Sequence, residues 1–170
     1  FIVDAANGTL IKAWGTANGM NDSVPSDPAA LNVDLDAGGL LDRIYIGDLG
    51  GNVWRFDIAN KDSTAWTIHK LAALGNYKIL FPPAVVKQQH RYVAEGAAQR
   101  FDAVYVGTGD RERPLDASSR NIFVMLKDFD TNSTVKERTI TPGDLEDVTS
   151  QVTAGSTTVQ ANLASKKGWL

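Results

Sequence analysis

The chain has 170 residues, of which 43% are hydrophobic and 22% are charged, and its formal net charge is −3. These values are ordinary for a globular protein with a buried core, and the slight acidity argues against a nucleic-acid partner. No apolar run approaches the 18 residues that a membrane-spanning helix needs, so we expect no membrane insertion by this segment. The absence of cysteine excludes disulfides and thiolate metal sites.

The first predicted elements are two β-hairpins. Residues 1–3 and 9–14 flank Asn7-Gly8, a dipeptide typical of tight hairpin turns. Residues 42–48 alternate β-branched and other side chains around Tyr45, and residues 52–57 run back after a glycine-rich turn. Alternation with a period of two indicates half-buried strands.

A second copy of this strand pair follows about 60 residues later. Residues 102–108 repeat the pattern of alternating β-branched residues, tyrosine and glycine, and residues 121–126 supply the return strand. A sheet unit that recurs every 40–60 residues is typical of β-propeller blades. The sequence therefore predicts an all-β fold, a partial propeller of about three blades that cover roughly residues 1–30, 31–100 and 101–170.

The C-terminal part is less regular. Residues 127–160 are rich in Thr, Ser and Asp and predict an irregular or partly helical insertion, with a turn or short helix starting near Thr141-Pro142. Residues 166–170 read as the entry to another strand. Because a propeller needs at least four blades, this chain cannot close alone, and exposed edge strands would favour self-association.

The sharpest chemical signal is an acidic loop, residues 34–42. Asp34, Asp36 and Asp42 occupy positions 1, 3 and 9, and Gly39 occupies position 6 of a D-x-D-x-[DN]-G calcium loop. Calcium takes six to eight oxygen ligands at about 2.3–2.6 Å, and the backbone carbonyl of Leu40 at position 7 would add another. The pattern predicts a calcium site.

Two departures from the calcium pattern leave an alternative open. Gly38 stands where a carboxylate or amide ligand is expected, and Tyr45 stands where an EF-hand has its bidentate glutamate. A frame that starts at Asn32 is chemically poorer, because it puts Ala37 at the bend. The alternative is a metal-free acidic turn, since Asp and Gly are common in turns for local reasons.

Other motifs have simpler interpretations. Residues 107–112 lack the third glycine of a dinucleotide-binding loop, so we expect a polar loop whose own charges pair with one another. Trp54 and Phe56 lie on one strand face and predict core packing. His69 is predicted to face solvent from a strand, and His90 to lie in a polar loop.

Several of these segments together resemble the C-terminal domain of PilC/PilY-type type IV pilus biogenesis factors. The long, specific match is residues 42–57 with the preceding acidic loop, and residues 107–115, 123–128 and 167–169 support it. The resemblance implies a modified β-propeller at the cell surface, the outer membrane or the pilus tip. It implies a non-enzymatic role in pilus extension, adhesion and twitching motility, with pilus components and host-surface ligands as partners.

The resemblance also implies a calcium site in the acidic loop. By matching position, Asp34, Asp36 and Asp42 would be ligands together with the Leu40 carbonyl. Family members usually have Asp or Asn where this chain has Gly38, which implies a weaker calcium affinity.

Two other functions compete with this interpretation. A quinoprotein dehydrogenase propeller would carry a repeated Gly-x-x-x-Trp spacing, but Trp54 follows Gly51 by three residues and Trp14 follows Gly8 by six. Absorbance of bound pyrroloquinoline quinone would identify that enzyme class. The third interpretation is a metal-free propeller scaffold that binds protein partners.

Overall fold

A computed structural model of the chain describes six stretches of sequence: residues 1–32, 40–89, 100–116, 120–129, 138–150 and 157–170. Within these stretches the regular secondary structure is mostly β-strand, with one α-helix and three short 3-10 helices. The predicted all-β class is therefore confirmed. The described helices are too short or too polar to cross a membrane.

Ten strands and one helix make up the described fold. They are β1 (Ile2–Val3), β2 (Leu10–Lys12), β3 (Ala29–Leu31), β4 (Arg43–Gly47), β5 (Asn52–Asp57), β6 (Thr67–Ala73), β7 (Ala84–Gln89), β8 (Arg100–Gly107), β9 (Phe123–Asp128), α1 (Thr157–Ser165) and β10 (Gly168–Trp169). The 3-10 helices are Thr16–Asn18, Ser63–Ala65 and Pro142–Asp144, the last at the predicted Thr141-Pro142 position.

The strands form a short hairpin and two four-stranded sheets. β1 pairs with β2, β3 to β6 form a central sheet in sequence order, and β7 to β10 form a C-terminal sheet in sequence order. Every neighbouring pair of strands is antiparallel, so both four-stranded sheets are simple meanders. The two predicted strand pairs are confirmed as β4–β5 and β8–β9.

The two sheets share one hydrophobic core. Side chains of the central sheet pack against side chains of β8 and β9, and residues from two connecting segments complete the cluster. Its buried members are Tyr45, Val53, Leu71, Ala72, Leu74, Ile79, Val104, Val106, Val124, Leu126, Ile140 and Leu145. Burial of aliphatic surface at about 25 cal/mol per Å² is the main stabilising contribution to such an interface.

The polar face of β4 is its more buried face. Arg43 and Tyr45 are buried, whereas Ile44 and Ile46 are only half-buried. The alternation of β4 is therefore as predicted, but the sheet-to-sheet core lies on the side that carries arginine and tyrosine. On the opposite face, Phe56 contacts the Trp14 ring at a centroid distance of 4.8 Å.

The C-terminal residues complete a sheet rather than begin another. Gly168 and Trp169 pair with Leu126 and Met125 of β9, so the predicted strand entry closes the C-terminal sheet. The pairing of β7 with β8 puts the change of sheet between Ala73 and Ala84. The division of the chain into propeller blades stays a prediction, because the described strands form no closed circle of sheets.

Candidate functional site

The acidic loop connects the first two strands of the central sheet. β3 ends at Leu31 and β4 begins at Arg43, and these two residues are Cα partners in the antiparallel pair. The two ends of the β3–β4 connection therefore lie side by side. A closed loop of this kind brings residues from both ends close together, as a chelating loop requires.

The described ligand candidates lie at the exit of the loop. The amide of Asp42 donates to the carbonyl of Leu31 at 2.9 Å, and its carbonyl accepts from the amide of Ile58 at 2.7 Å. Asp42 is half-buried, whereas the Leu40 side chain is 64% exposed. These bonds fix the backbone of Asp42 to the sheet.

The other two candidates are not described. Asp34 and Asp36 lie outside the described residues, as do Gly38 and Gly39. Within the described part of the chain, no group of three His, Asp or Glu side chains is arranged to hold a metal. The donor set that the sequence offers in the loop is entirely oxygen, which suits a hard cation such as Ca²⁺.

A buried network of charged side chains begins at the residue after the loop. The Arg43 Nε donates to Asp57 at 3.0 Å within the central sheet, and its Nη1 donates to Asp102 of the C-terminal sheet at 2.6 Å. Arg43 and Asp102 are both buried. The base of the acidic loop is therefore attached to both sheets.

A second arginine, Arg55, connects the two sheets in the same way as Arg43. Arg55 Nη1 donates to both carboxylate oxygens of Asp128 at 2.7 and 2.8 Å, while its Nε and Nη2 donate to Asp57. The side chains of Arg55 and Asp128 are 1% and 2% exposed. Ion pairs in such a dry environment need complete hydrogen bonding to be tolerated.

Tyr45 lies between the two aspartates of the C-terminal sheet. Its hydroxyl is 2.7 Å from Asp128 Oδ2 and 3.1 Å from Asp102 Oδ2. Burial raises the pKa of Tyr45, and the nearby negative charge of Asp128 raises it further. The phenol therefore stays protonated and serves as a hydrogen-bond donor to these carboxylates.

Sequence reasoning missed this network. Asp57 and Asp128 end their strands, and they bind arginines across or within the sheets. One signal was present in the sequence: Arg43 and Tyr45 are two residues apart, so they share one face of their strand.

A buried aspartate also organises the β4–β5 turn. Asp48 accepts hydrogen bonds from the amides of Gly50 and Asn52, and from the indole nitrogen of Trp54 at 2.7 Å. Gly51 has φ of 76°, the left-handed conformation that favours glycine. These contacts give the Asp48-to-Trp54 segment a structural role, and Trp54 is buried as predicted.

The loop after β8 pairs with a different partner from the one expected. Lys78 lies 3.0 Å from Asp110 and 2.9 Å from Glu112, and it holds the pKa of Asp110 below its usual range. The acidic side chains of this loop therefore also pair with a lysine outside the loop, which the sequence analysis did not anticipate. Two acidic side chains beside Lys78 do not suit a phosphate-binding loop.

His69 is half-buried rather than exposed, and His90 lies outside the described residues.

Comparison with known proteins supports the family resemblance. The chain is 31% identical over 153 residues to a protein of Xylella fastidiosa strain Temecula1, the type IV pilus biogenesis factor PilY1 homolog. The match covers 79% of this chain and 10% of the relative, so the chain spans about a tenth of the relative's length. No family model matches the chain, and no solved structure matches it. The resemblance to PilC/PilY-type type IV pilus biogenesis factors that the motifs predict is therefore confirmed.

Proposed function

We propose that this chain is a non-enzymatic segment of a type IV pilus biogenesis factor that binds calcium in its acidic loop. The single observation that carries the proposal is the 31% identity to a protein named for pilus biogenesis. In cells, the protein containing this segment would support pilus extension, adhesion and twitching motility. Its place would be the cell surface, the outer membrane or the pilus tip, and its partners would be pilus components and host-surface ligands.

The sheet arrangement supports a modified propeller as the parent architecture. Propeller blades are four-stranded antiparallel sheets that pack face to face around a central axis. The central and C-terminal sheets are both such meanders and share a core. Their first strands, β3 and β7, also approach each other, as the innermost strands of adjacent blades would.

Calcium binding would depend on the residues that converge on the loop. Asp34, Asp36 and Asp42 would hold the cation with the Leu40 carbonyl, and a water would replace the ligand missing at Gly38. Three carboxylates repel one another in an empty loop, so a bound divalent cation would remove that repulsion. The fixed backbone of Asp42 lowers the ordering cost, because one end of the loop is already anchored.

The buried network gives a path from the loop to the rest of the chain. Arg43 directly follows Asp42 and binds Asp102 on the other sheet. We propose that ordering of the loop by calcium stabilises the contact between the two sheets. An ordered and a loose state of the sheet pair would then differ in how the protein engages the pilus.

The proposal is tested with a double Asp34→Ala and Asp36→Ala variant. Calorimetric titration with Ca²⁺ should show saturable binding to the natural chain and none to the double variant. The matched control is Asp147→Ala, which removes an exposed carboxylate outside the loop and should leave binding unchanged.

The same variants are then placed in the full-length protein in cells that lack it. We expect fewer surface pili and faster net retraction with the double variant, and normal behaviour with Asp147→Ala. Lost calcium binding with unchanged pilus number and retraction would refute the link between calcium and pilus function.

A further inference from the structure

A polar pocket lies beside the β8–β9 loop, and neither the acidic loop nor the buried arginine network contributes a residue to it. Its volume is about 220 Å³. Its walls come from the β6–β7 connection and from the two ends of the β8–β9 loop, and the polar side chains that line it belong to Asn76, Tyr77, Lys78, Asp110, Arg120 and Asn121.

Hydrogen bonds hold the walls of this pocket in place. The amide of Gly109 donates to the carbonyl of Lys78 at 2.9 Å, which joins the two segments. The two ends of the β8–β9 loop are joined by Thr108, whose amide and hydroxyl donate to the carbonyl of Ile122 at 2.9 and 3.1 Å. Lys78 adds an ion pair with Asp110 at 3.0 Å. A ligand would therefore meet a largely pre-formed site.

The polar side chains of the pocket fall into two groups. Lys78 is compensated by acidic partners, of which Asp110 is one. In the part of the chain that the structure describes, the side chains of Asn76, Arg120 and Asn121 make no hydrogen bond or ion pair. The pocket therefore offers one uncompensated guanidinium and two carboxamides to a ligand.

We propose that this pocket binds a monosaccharide that carries one carboxylate, a hexuronate unit. A guanidinium such as that of Arg120 matches a carboxylate with two parallel hydrogen bonds. The carboxamides of Asn76 and Asn121 each offer both donors and an acceptor, as the hydroxyl groups of a sugar ring require. Tyr77, half-buried against the shared core, adds an aromatic ring to the lining.

The charge and size of the pocket select against other ligands. A phosphate monoester carries up to two negative charges, but of the two cations in the lining only Arg120 lacks an acidic partner, since Lys78 pairs with Asp110 and Glu112. The volume lies below the range of about 300–1,000 Å³ that drug-sized ligands occupy, which favours a single ring. Because the pocket shares no residue with the acidic loop, ligand binding here requires neither calcium nor the proposed pilus function.

Binding is tested by NMR titration of the isotope-labelled chain with glucuronate. We expect saturable shifts of the side-chain amide signals of Asn76 and Asn121 and of the backbone amide signal of Gly109. Glucose lacks the carboxylate and should bind at least about tenfold more weakly, because the charge-assisted hydrogen bonds are lost. Acetate lacks the ring and should leave the two asparagine signals unchanged.

Substitutions in the pocket separate the carboxylate contact from the rest of the site. Arg120→Gln should weaken glucuronate binding at least about tenfold and leave glucose binding unchanged. The matched control is Arg111→Gln in the same loop, because Arg111 lies over the Phe81 ring at 4.9 Å and does not line the pocket. This control should bind glucuronate as the natural chain does.

A third variant, Asn121→Asp, changes the charge of the pocket with almost no change of shape. Its carboxylate should repel that of glucuronate and abolish binding, while glucose still binds. Arg120 and Asn121 are both exposed, so both variants should fold, and their amide spectra check this directly.

Three results would overturn the proposal. The first is the absence of saturable glucuronate binding to the natural chain. The second is an equal response to acetate and glucuronate, which would reduce the site to a nonspecific contact with anions. The third is an equal effect of Arg120→Gln and Arg111→Gln on glucuronate affinity, which would place the carboxylate outside the pocket.

Discussion

Arg55 illustrates how one residue connects the two sheets. Its guanidinium binds Asp57 on its own strand and Asp128 on β9, and the side chain is 1% exposed. A guanidinium offers five donors in a planar fork, which suits two carboxylates at once. Removal of one member of such a pair leaves a buried charge without its partner, and this is more damaging than loss of the attraction itself.

We therefore predict a large loss of stability for Arg55→Met. Methionine keeps much of the aliphatic volume of arginine. Asp128, however, would lose both of its hydrogen bonds from Arg55 and keep the one from the Tyr45 hydroxyl. The free energy of unfolding in urea should fall by about 3–5 kcal/mol. The control is Glu112→Gln, because Glu112 is 79% exposed and its solvent-screened ion pair with Lys78 should contribute little to stability. Equal losses in the two variants would contradict the role assigned to the network.

At the scale of the element, the β4–β5 hairpin depends on a close approach of backbone. Gly51 has φ of 76°, and a Cβ atom there would collide with the carbonyl oxygen of Gly75 and lie 2.8 Å from that of Tyr77. Gly8, in the N-terminal hairpin, has nearly the same φ of 75°, but a Cβ atom there would have no neighbouring atom within 4 Å. Alanine substitutions at the two glycines therefore distinguish the cost of backbone conformational strain from the cost of steric collision.

We predict that Gly51→Ala destabilises the chain far more than Gly8→Ala. At Gly8, only the left-handed conformation penalises alanine, by about 1–2 kcal/mol. At Gly51, overpacking adds about 1–3 kcal/mol, because backbone atoms cannot move aside as a flexible side chain can. Unfolding of both variants by urea gives the comparison. A loss of stability in Gly51→Ala no larger than the loss in Gly8→Ala would show that the backbone around Gly51 shifts to accommodate the added methyl group.

The elements that were predictable from the sequence are those with strong local signals. Alternation located β4 and β8, the glycine-rich turn located the return strand β5, and Asn7-Gly8 located the first turn. The bridge between Ile140 and Ala72 could not be found this way, because Ile140 has no periodic neighbours and Ala72 lies far away in the sequence. Long-range parallel bridges of single residues leave no local pattern in sequence.

At the scale of the whole molecule, the end of the candidate calcium loop is connected directly to the contact between the two sheets. The loop ends where Arg43 begins the buried network, and the network binds Asp102 on the C-terminal sheet. Calcium binding in this loop stays a prediction, but the candidate ligands were legible in the sequence because their spacing is local. The attachment of the loop to both sheets was not, because Arg43 and Asp102 are 59 residues apart.

This attachment leads to a prediction for the stability of the whole chain. A ligand that binds only the folded state stabilises it by RT ln(1 + [L]/Kd), which is about 2.7 kcal/mol at a free concentration of one hundred times Kd. Calcium at that concentration should therefore raise the free energy of unfolding of the natural chain by about this amount, and excess chelator should reverse the gain. Near-ultraviolet circular dichroism reports on both sheets, because Tyr45 and Trp54 lie in one sheet and Tyr105 and Trp169 in the other. We expect both sheets to unfold in a single transition.

Two variants show whether the gain comes from the acidic loop. In Asp36→Ala, calcium should leave the unfolding midpoint unchanged, whereas in Asp147→Ala the full gain should remain. Magnesium should stabilise the natural chain less than calcium does, because it demands near-octahedral geometry and retains its waters. A calcium gain that persists in Asp36→Ala would place the cation elsewhere and separate the acidic loop from the stability of the sheet pair.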